Sequence, residues 1–409
     1  MLETLPIRPE LAPEEKRALL GKLLRRQDLV SPLSHGQQAL WFLSRIAPES
    51  AAYNSTIAVR LRAEIAVSMI RQALHTLADR HAALRTRFTT LGGDPIQCVR
   101  AGVDLDLRQD DASTWSAETL QRRVDDQTHR PFDLTEDSLL RGVLYSRAVD
   151  DHILVLTFHH VIGDFLSFAL LFDEFVTLLF AEFDGKQATL PAVPAPYTEY
   201  VRYQAELLKG PRGARQWDYW ERQLAGDLPR LDLADKPRPA VRTDHGAVLA
   251  FTLDPRLTRK LQVRAHDERT TLYVILLAAF QVLLHRYTAE KDIIVGSFAQ
   301  GRTRPEFSRT VGYFVNPIAL RTSLADDPPF SALIARVRRT VLGALEHQDY
   351  PFPLLVERLG GSPDLGYSPV FQVAFNMLKP LQSTRTGLAL SMLNPDVAAL
   401  QAETPRLEH

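Results

Sequence analysis

The chain has 409 residues, of which 45% are hydrophobic and 24% are charged, and its formal net charge is −1. This is the composition of an ordinary folded protein, and the length favours two lobes over a single core. A net charge this close to zero excludes the strongly basic character that is typical of proteins that bind nucleic acid or anionic membranes.

The chain shows no feature that directs it to a membrane or to an oxidising compartment. The residues after Met1 lack the basic and then apolar pattern of a signal peptide. The longest uncharged apolar stretch, Leu272 to Leu284, is too short to span a bilayer. Cys98 is the only cysteine, which excludes an internal disulfide and favours a reducing, cytoplasmic location.

The first segments in chain order are predicted to be helical. Residues 1–27 contain prolines followed by interspersed leucines and charged residues, which predicts an amphipathic helix, either a solvated terminal helix or a linker helix. Residues 34–43 place their large apolar side chains at helical spacing. Met69 to Ala83 predicts a further helix, and residues 84–88 predict a strand that carries Arg85. Arg85 is interpreted either as an exposed strand charge or as a buried partner for a carboxylate.

The most informative stretch is the one that surrounds two adjacent histidines. The apolar run Ile153–Phe158 predicts a strand buried on both faces, and it ends at His159 and His160. Asp164 follows, and Phe165–Phe183 then carries polar residues on only a narrow stripe, which predicts a largely buried helix. Because successive side chains of a strand point to opposite faces, the two histidines should diverge, and only one of them can reach a given cavity.

This corner contains groups that suit acid–base chemistry. A neutral imidazole with a pKa of ~6.5 can accept a proton near neutrality. Asp164 can cap backbone N–H groups or pair with a buried arginine, and the N–H groups of residues 161–164 could face an oxyanion. A core histidine that is merely hydrogen-bonded is the simpler alternative. Metal binding is less favoured, because adjacent histidines diverge and no other ligand set surrounds them.

Composition shifts predict the domain organisation. The proline-rich stretch Pro191–Pro196 is the best candidate boundary. It separates a first lobe, 28–187, from a second lobe, 188–406. The last residues, 407–409, look like a remnant of an expression vector.

The pattern His159-His160-x-x-x-Asp164 resembles the active-site motif of nonribosomal peptide synthetase condensation domains, which are members of the chloramphenicol acetyltransferase-like superfamily. Ser34–Leu43 resembles the family's first block in the version that joins two L-configured units, and Ala39 replaces the usual Arg there. Further segments resemble conserved blocks in the same order; these are Arg80–Phe88, Pro131–Arg141, Val311–Arg321, His347–Phe352 and Pro363–Val370.

The resemblance implies an α/β fold with two chloramphenicol acetyltransferase-like lobes in a V and a central tunnel. Family members continue with further strands and a helix, so the second lobe is expected to be truncated. His160 would face the tunnel and accept a proton from the attacking amine or hold that amine in line. The backbone N–H of Gly163 is a candidate donor to the developing oxyanion.

Four other positions receive roles from the resemblance. His159 and Asp164 would be structural, Arg85 would lock Asp164 in a salt bridge, and Asn316 would support the site from the second lobe. Phe165 occupies the position of the usual Gly, and we expect its ring to affect the selection of the donor acyl group, as in domains from hybrid polyketide–peptide systems.

The implied reaction is amide formation between two thioesters, each carried as a 4'-phosphopantetheine conjugate by a donor or an acceptor carrier domain. The domain itself would bind no cofactor and no metal, and an adenylation domain would be its neighbour. Two alternatives stay open. One is a starter or ester-forming acyltransferase of the same superfamily, and the other is a non-catalytic domain that recruits partners.

Overall fold

The computed structural model describes residues 29–233, 246–360, 368–378 and 389–392. The predicted linker helix within 1–27 and the terminal residues 407–409 lie outside the described residues, and so does most of the predicted block Pro363–Val370.

The described chain contains both helices and strands. Up to the proline-rich stretch they are β1 (Leu29–Pro32), α1 (His35–Ile46), β2 (Asn54–Leu61), α2 (Val67–Arg80), β3 (Thr86–Leu91), β4 (Asp94–Val99), β5 (Asp106–Asp111), α3 (Ala117–His129), β6 (Leu140–Ala148), β7 (Asp151–His159) and α4 (Phe165–Phe183). After it they are α5 (Tyr197–Lys209), α6 (Pro211–Gln223), α7 (Pro255–Asp267), α8 (Leu272–Thr288), β8 (Asp292–Ala299), β9 (Asn316–Ser323), α9 (Phe330–Glu346), α10 (Phe352–Arg358) and β10 (Ala389–Met392).

The chain forms two compact units. The first comprises the described residues within Met1–Arg202, Arg304–Phe314 and Leu381–His409, and the second those within Tyr203–Thr303 and Val315–Pro380. This division differs from the predicted lobes 28–187 and 188–406. The first unit continues past the proline-rich stretch, and it also contains a later segment that a linear reading of composition assigns to the second lobe. Prolines alone do not mark a boundary when the chain on both sides packs into the same core.

The first unit is built on a mixed sheet with the order β10-β2-β7-β6-β5 in the described residues. β5 pairs with β6 in parallel, and the other neighbours are antiparallel. A smaller antiparallel sheet has the order β1-β4-β3. Cys98 lies in β4 and is buried. The α/β class predicted from the sequence is therefore observed.

Strand β7 lies inside this sheet and is covered on both faces. Leu154 and Leu156 pack into the larger hydrophobic core, whereas Ile153 and Val155 pack into a smaller core that includes Leu120 of α3. Because both sets of alternate side chains are buried, the strand has the continuous apolar sequence of a central strand. The predicted strand, buried on both faces, is confirmed.

The second unit has its own core. β8 and β9 form an antiparallel pair from Asp292↔Ser323 to Ala299↔Asn316. Helices α8 and α9 contribute fully buried residues such as Leu277 to that core. Among the described helices, no single one is long and apolar enough to cross a bilayer; α7 and α8 meet that test only as a pair, and they are bent by 105°.

Candidate active site

The two adjacent histidines face different surroundings, as predicted from strand geometry. His159 is the last residue of β7 and is buried, and its ring lies edge-on to Phe132 at a centroid distance of 6.0 Å. His160 begins a short 3-10 turn, is partly exposed, and its ring contacts Phe168 of α4. The strand ends between them, so one ring is part of the packing and the other remains accessible.

His160 is held in one tautomer. Its Nδ1 lies 2.7 Å from the carbonyl oxygen of Gly163, and because a carbonyl can only accept, Nδ1 must donate. The neutral ring therefore carries its lone pair on Nε2, for which the described residues provide no hydrogen-bond partner. Burial lowers the pKa of His160, although the Gly163 carbonyl and the charge of Asp164 oppose this effect. The ring is thus an unprotonated base at neutral pH.

The position of Gly163 corrects the predicted role of its backbone N–H. That N–H donates to the carbonyl of His160 at 3.1 Å and closes the 3-10 turn, so it is not available to an oxyanion. The contribution of Gly163 is instead its carbonyl, which orients the imidazole. An added Cβ at this position would lie 2.8 Å from the ring of Phe168, so the turn needs a glycine for close packing.

Asp164 is the N-cap of α4, as its place before the helix predicted. Its Oδ1 accepts from the backbone N–H of Ser167 at 2.9 Å and lies 2.9 Å from the Ser167 hydroxyl, while Oδ2 accepts from the N–H of Phe314 at 3.1 Å. The aspartate is 3% exposed, and these donors stabilise its charge. It therefore fixes the turn that carries His160.

Arg85 does not hold Asp164, which corrects the predicted salt bridge. Its guanidinium donates to the carbonyl oxygens of Ala78 and Arg100. No ion pair joins Arg85 to Asp164 in the part of the chain that the structure describes. A buried carboxylate needs a cation or several donors, and here helix capping supplies the donors. Arg85 lines a separate cavity of about 170 Å³ in the same unit.

The segment Arg304–Phe314, called the 304–314 segment below, contributes a residue that the sequence did not indicate. The ring of Tyr313 lies edge-on to that of His160, at a centroid distance of 5.6 Å and an interplanar angle of 83°. Gly36 of α1 makes room for it, because an added Cβ there would lie 2.7 Å from the Tyr313 ring. The sequence offered only the resemblance of Val311–Arg321 to a conserved block, which did not single out Tyr313.

Phe165 and Asn316 occupy different settings. Phe165 is the first residue of α4 and is partly exposed. Asn316, in the second unit, donates to the carbonyls of Gln348 and Tyr350 at 3.0 and 2.7 Å and accepts from the N–H of Phe352 at 2.9 Å. All these contacts are to backbone groups, so Asn316 fixes the chain before α10 and has a structural role.

The described residues contain no group of histidine, cysteine, aspartate and glutamate side chains that could hold a metal ion. The groups that this corner presents are one oriented imidazole and an aspartate that fixes its turn.

Comparison with known proteins gives this geometry a context. The profile of the condensation domain family matches residues 27–404. A linear gramicidin synthase of Brevibacillus parabrevis is 38% identical over 355 residues, which are 85% of this chain and 5% of that protein. Phosphinothricin tripeptide synthetase PhsC of Streptomyces viridochromogenes is 37% identical over 352 residues, which are 85% of this chain and 32% of that protein. The chain thus spans a small part of these relatives.

Two solved structures also align with most of this chain. The X-domain from teicoplanin biosynthesis aligns with a TM-score of 0.76 and 26% identity, over 88% of this chain and 81% of that one. The four-domain nonribosomal peptide synthetase holo-AB3403 has the same TM-score of 0.76 with 23% identity, over 85% of this chain and 26% of that one, which shows the fold alone.

The α/β fold is of the chloramphenicol acetyltransferase-like class, which the aligned solved structures share. Within that class, the chain belongs to the condensation domain family. Condensation domains are the acyltransferases that form peptide bonds in nonribosomal peptide synthesis.

Proposed function

We propose that this chain catalyses amide formation between a donor acyl or peptidyl thioester and an acceptor aminoacyl thioester. The observation that carries the proposal is the fixed tautomer of His160. With Nδ1 bound to the Gly163 carbonyl, Nε2 is an acceptor on a partly exposed ring. That is the state in which an imidazole receives a proton from an attacking amine.

The proposed reaction needs one proton acceptor and no redox partner. The amine nitrogen of the acceptor attacks the thioester carbonyl carbon of the donor, a C–N bond forms, and the C–S bond breaks. The proton lost by the nitrogen passes to Nε2 of His160 and then to the departing thiolate. A general base contributes roughly 10²–10⁴-fold when proton removal limits the rate, and holding the amine in line contributes at least as much.

The other parts of the reaction come from partners. Both substrates would arrive on carrier domains as phosphopantetheine thioesters, with an adenylation domain as the neighbour in a cytoplasmic synthetase. The two synthetases compared with this chain are multidomain proteins, which supports this arrangement. The first block of the sequence favours donors and acceptors that are both L-configured.

Replacing His160 by Ala tests the proposed function. We expect the rate of product formation at saturating carriers to fall roughly 10²–10⁴-fold, because the proton acceptor is lost. The assay follows transfer between two phosphopantetheinylated carrier domains, the donor loaded with a panel of acyl groups and the acceptor with a panel of L-amino acids. Substitution of the exposed His266 by Ala is the control. Equal turnover by the His160 variant and the wild type contradicts the assignment.

A further inference from the structure

The first unit contains a buried charge that the proposed chemistry does not use. Glu174 lies on α4 and its side chain is 0% exposed. In the sequence it belongs to the narrow polar stripe of the predicted helix. In the structure, Arg80, His81 and Arg309 surround it at distances of 2.7 to 2.8 Å.

The hydrogen-bond partners of Glu174 offset the free-energy cost of burying its carboxylate. Desolvation raises the pKa of Glu174, but hydrogen bonds from His81, Arg80 and Arg309 outweigh it and bring the pKa down to about 2. A group with so low a pKa stays ionised at neutral pH and is not a proton carrier. Because an apolar cluster would often stabilise a protein equally well, a buried ion pair favours a geometric role.

Glu174 joins segments that are far apart in the sequence. Arg80 ends α2, Glu174 is in the middle of α4, and Arg309 belongs to the 304–314 segment. Arg80 also donates to the carbonyl of Pro191. The carboxylate is therefore one of the points at which the 304–314 segment is attached to α4.

From Arg309 onward, the segment is held along its length. Thr310 donates to the carbonyl of Ala195 at 2.7 Å, and the hydroxyl of Tyr197 donates to the carbonyl of Tyr313 at 2.6 Å. Gly312 is bound to the Ser167 hydroxyl through both its N–H, at 3.0 Å, and its carbonyl, at 2.8 Å. The segment thus has little freedom to slide along α4.

The hydrogen bonds that hold the 304–314 segment place Tyr313 beside His160. The ring of Tyr313 covers one side of the imidazole. Phe168 of α4 lies against the same imidazole, with its centroid 5.8 Å away. We propose that Tyr313 is a positioning residue for His160 and that the Glu174–Arg309 ion pair holds it there. The inference rests on the proposed function for its kinetic readout, whereas its spectroscopic readout is independent of any activity.

The ionisable groups around His160 determine how a change in its pKa is interpreted. Asp164 and Tyr313 face the ring, and His159 precedes it. Tyr313 is neutral at physiological pH, because burial raises the pKa of its phenol. Removing Arg309 leaves all of these groups in the chain. A change in the titration of His160 then reports loss of its aromatic cover, which admits water and lets its pKa rise toward the ordinary value.

The experiment compares Arg309→Met with Arg304→Met. Both substitutions remove a guanidinium from the same segment, but Arg304 pairs with Glu306, and both of those side chains are well exposed, whereas Arg309 pairs with the fully buried Glu174. Histidine labelled at Cε1 with ¹³C is titrated by NMR, and the His160 resonance is assigned with His160→Ala. We expect Arg309→Met to move the His160 midpoint upward and Arg304→Met to leave it in place.

The kinetic readout should change in the same direction. For Arg309→Met we expect kcat to fall roughly ten- to a hundredfold, with little change in the KM for either carrier, because the base is misplaced while carrier binding is not affected. The acidic limb of the kcat–pH profile should move upward with the NMR midpoint, and Arg309→Lys should recover part of the loss. An unchanged His160 titration in folded Arg309→Met overturns the proposal.

Tyr313→Ala is the second variant and covers the case in which Arg309→Met does not fold. It removes the ring directly and keeps the buried charges paired. The same upward shift of the His160 midpoint is expected, and an unchanged midpoint contradicts the proposal. If wild-type protein forms no amide with any carrier pair, the proposed function fails, and the NMR titration still decides whether Tyr313 positions His160.

Discussion

At the scale of single residues, the neighbours of His160 determine which of its two ring nitrogens can accept a proton. The Gly163 carbonyl accepts a hydrogen bond from Nδ1 of His160, so Nε2 is the nitrogen that can act as a base. His159, one residue earlier, accepts from the N–H of Val161 at 3.1 Å and is enclosed. Two identical side chains therefore lie in different surroundings, because the strand ends between them and only His160 is partly exposed.

Phe165 allows a prediction about substrate choice. It is partly exposed at the first position of α4, directly after Asp164. If its ring limits the space for the donor acyl group, Phe165→Gly should raise kcat/KM for bulky donors roughly tenfold or more relative to small ones. The measurement is a series of acyl thioesters of increasing size on one carrier, and Phe165→Leu is the matched control that keeps an apolar side chain. Identical preferences in wild type and Phe165→Gly would remove this role.

At the scale of secondary structure, α4 organises the site. Its N-cap Asp164 fixes the histidine turn, Ser167 in its first turn binds the 304–314 segment, and Glu174 two turns later binds the same segment again. The helix is hydrophobic on most of its surface, and its two buried polar side chains, Ser167 and Glu174, must be paired.

Ser167 provides a test of that organisation. Its hydroxyl is fully buried and connects Asp164 to Gly312, so Ser167→Ala leaves the Gly312 N–H without its acceptor. We expect the free energy of unfolding to fall by about 1–3 kcal/mol. Thr177→Val on the same helix is the control, because that hydroxyl only donates to the carbonyl of Asp173 and should cost within about 0.5 kcal/mol. Urea denaturation measures the loss of unfolding free energy in both variants. Equal losses in Ser167→Ala and Thr177→Val would show that the Ser167 contacts are not needed for stability.

The sequence predicted elements better than contacts. The buried strand and the helix Phe165–Phe183 follow from continuous apolar residues, and the structure has both. The cap that Asp164 forms on its own helix could be predicted in this way, but its bond from the backbone N–H of Phe314, 150 residues later, could not. The partners of Glu174 were not predictable either: periodicity assigns a residue to a helix face, but it does not show that Arg309, 135 residues away in the sequence, pairs with that residue.

At the scale of the whole molecule, each unit has its own hydrophobic core, and the site motif lies entirely in the first. The length of the chain predicted two lobes, but the proline-rich stretch placed their boundary before Arg202, where the first part of the first unit ends. The chain returns from the second unit to the first through the 304–314 segment. Composition and periodicity along the sequence do not reveal that a late segment belongs to an earlier unit.

Acid stability is the property of the whole chain that follows from its buried groups. Burial lowers the pKa of His159 from 6.5 to about 3. Between these values the unfolded chain binds a proton that the folded protein does not, so the free energy of unfolding decreases as the pH falls, by up to about 1.4 kcal/mol per pH unit. Glu174 adds a further loss as the pH falls from 4.5 towards 2.

A variant separates the histidine contribution. His159→Asn does not titrate and still offers an acceptor to the N–H of Val161, so stability should depend less steeply on pH between about pH 7 and pH 5. The exposed His266→Asn is the control. Urea denaturation across this range provides the slopes, and equal slopes for the two variants would show that His159 is not responsible for the acid sensitivity.

The burial of Cys98 has a practical consequence. It is the sole thiol in the sequence and is 4% exposed. A cysteine introduced on the surface would therefore be the one site that reacts readily with a maleimide dye or a spin label. Pairs of such labels would allow distances to be followed in solution while substrates are exchanged, with the native residue left untouched.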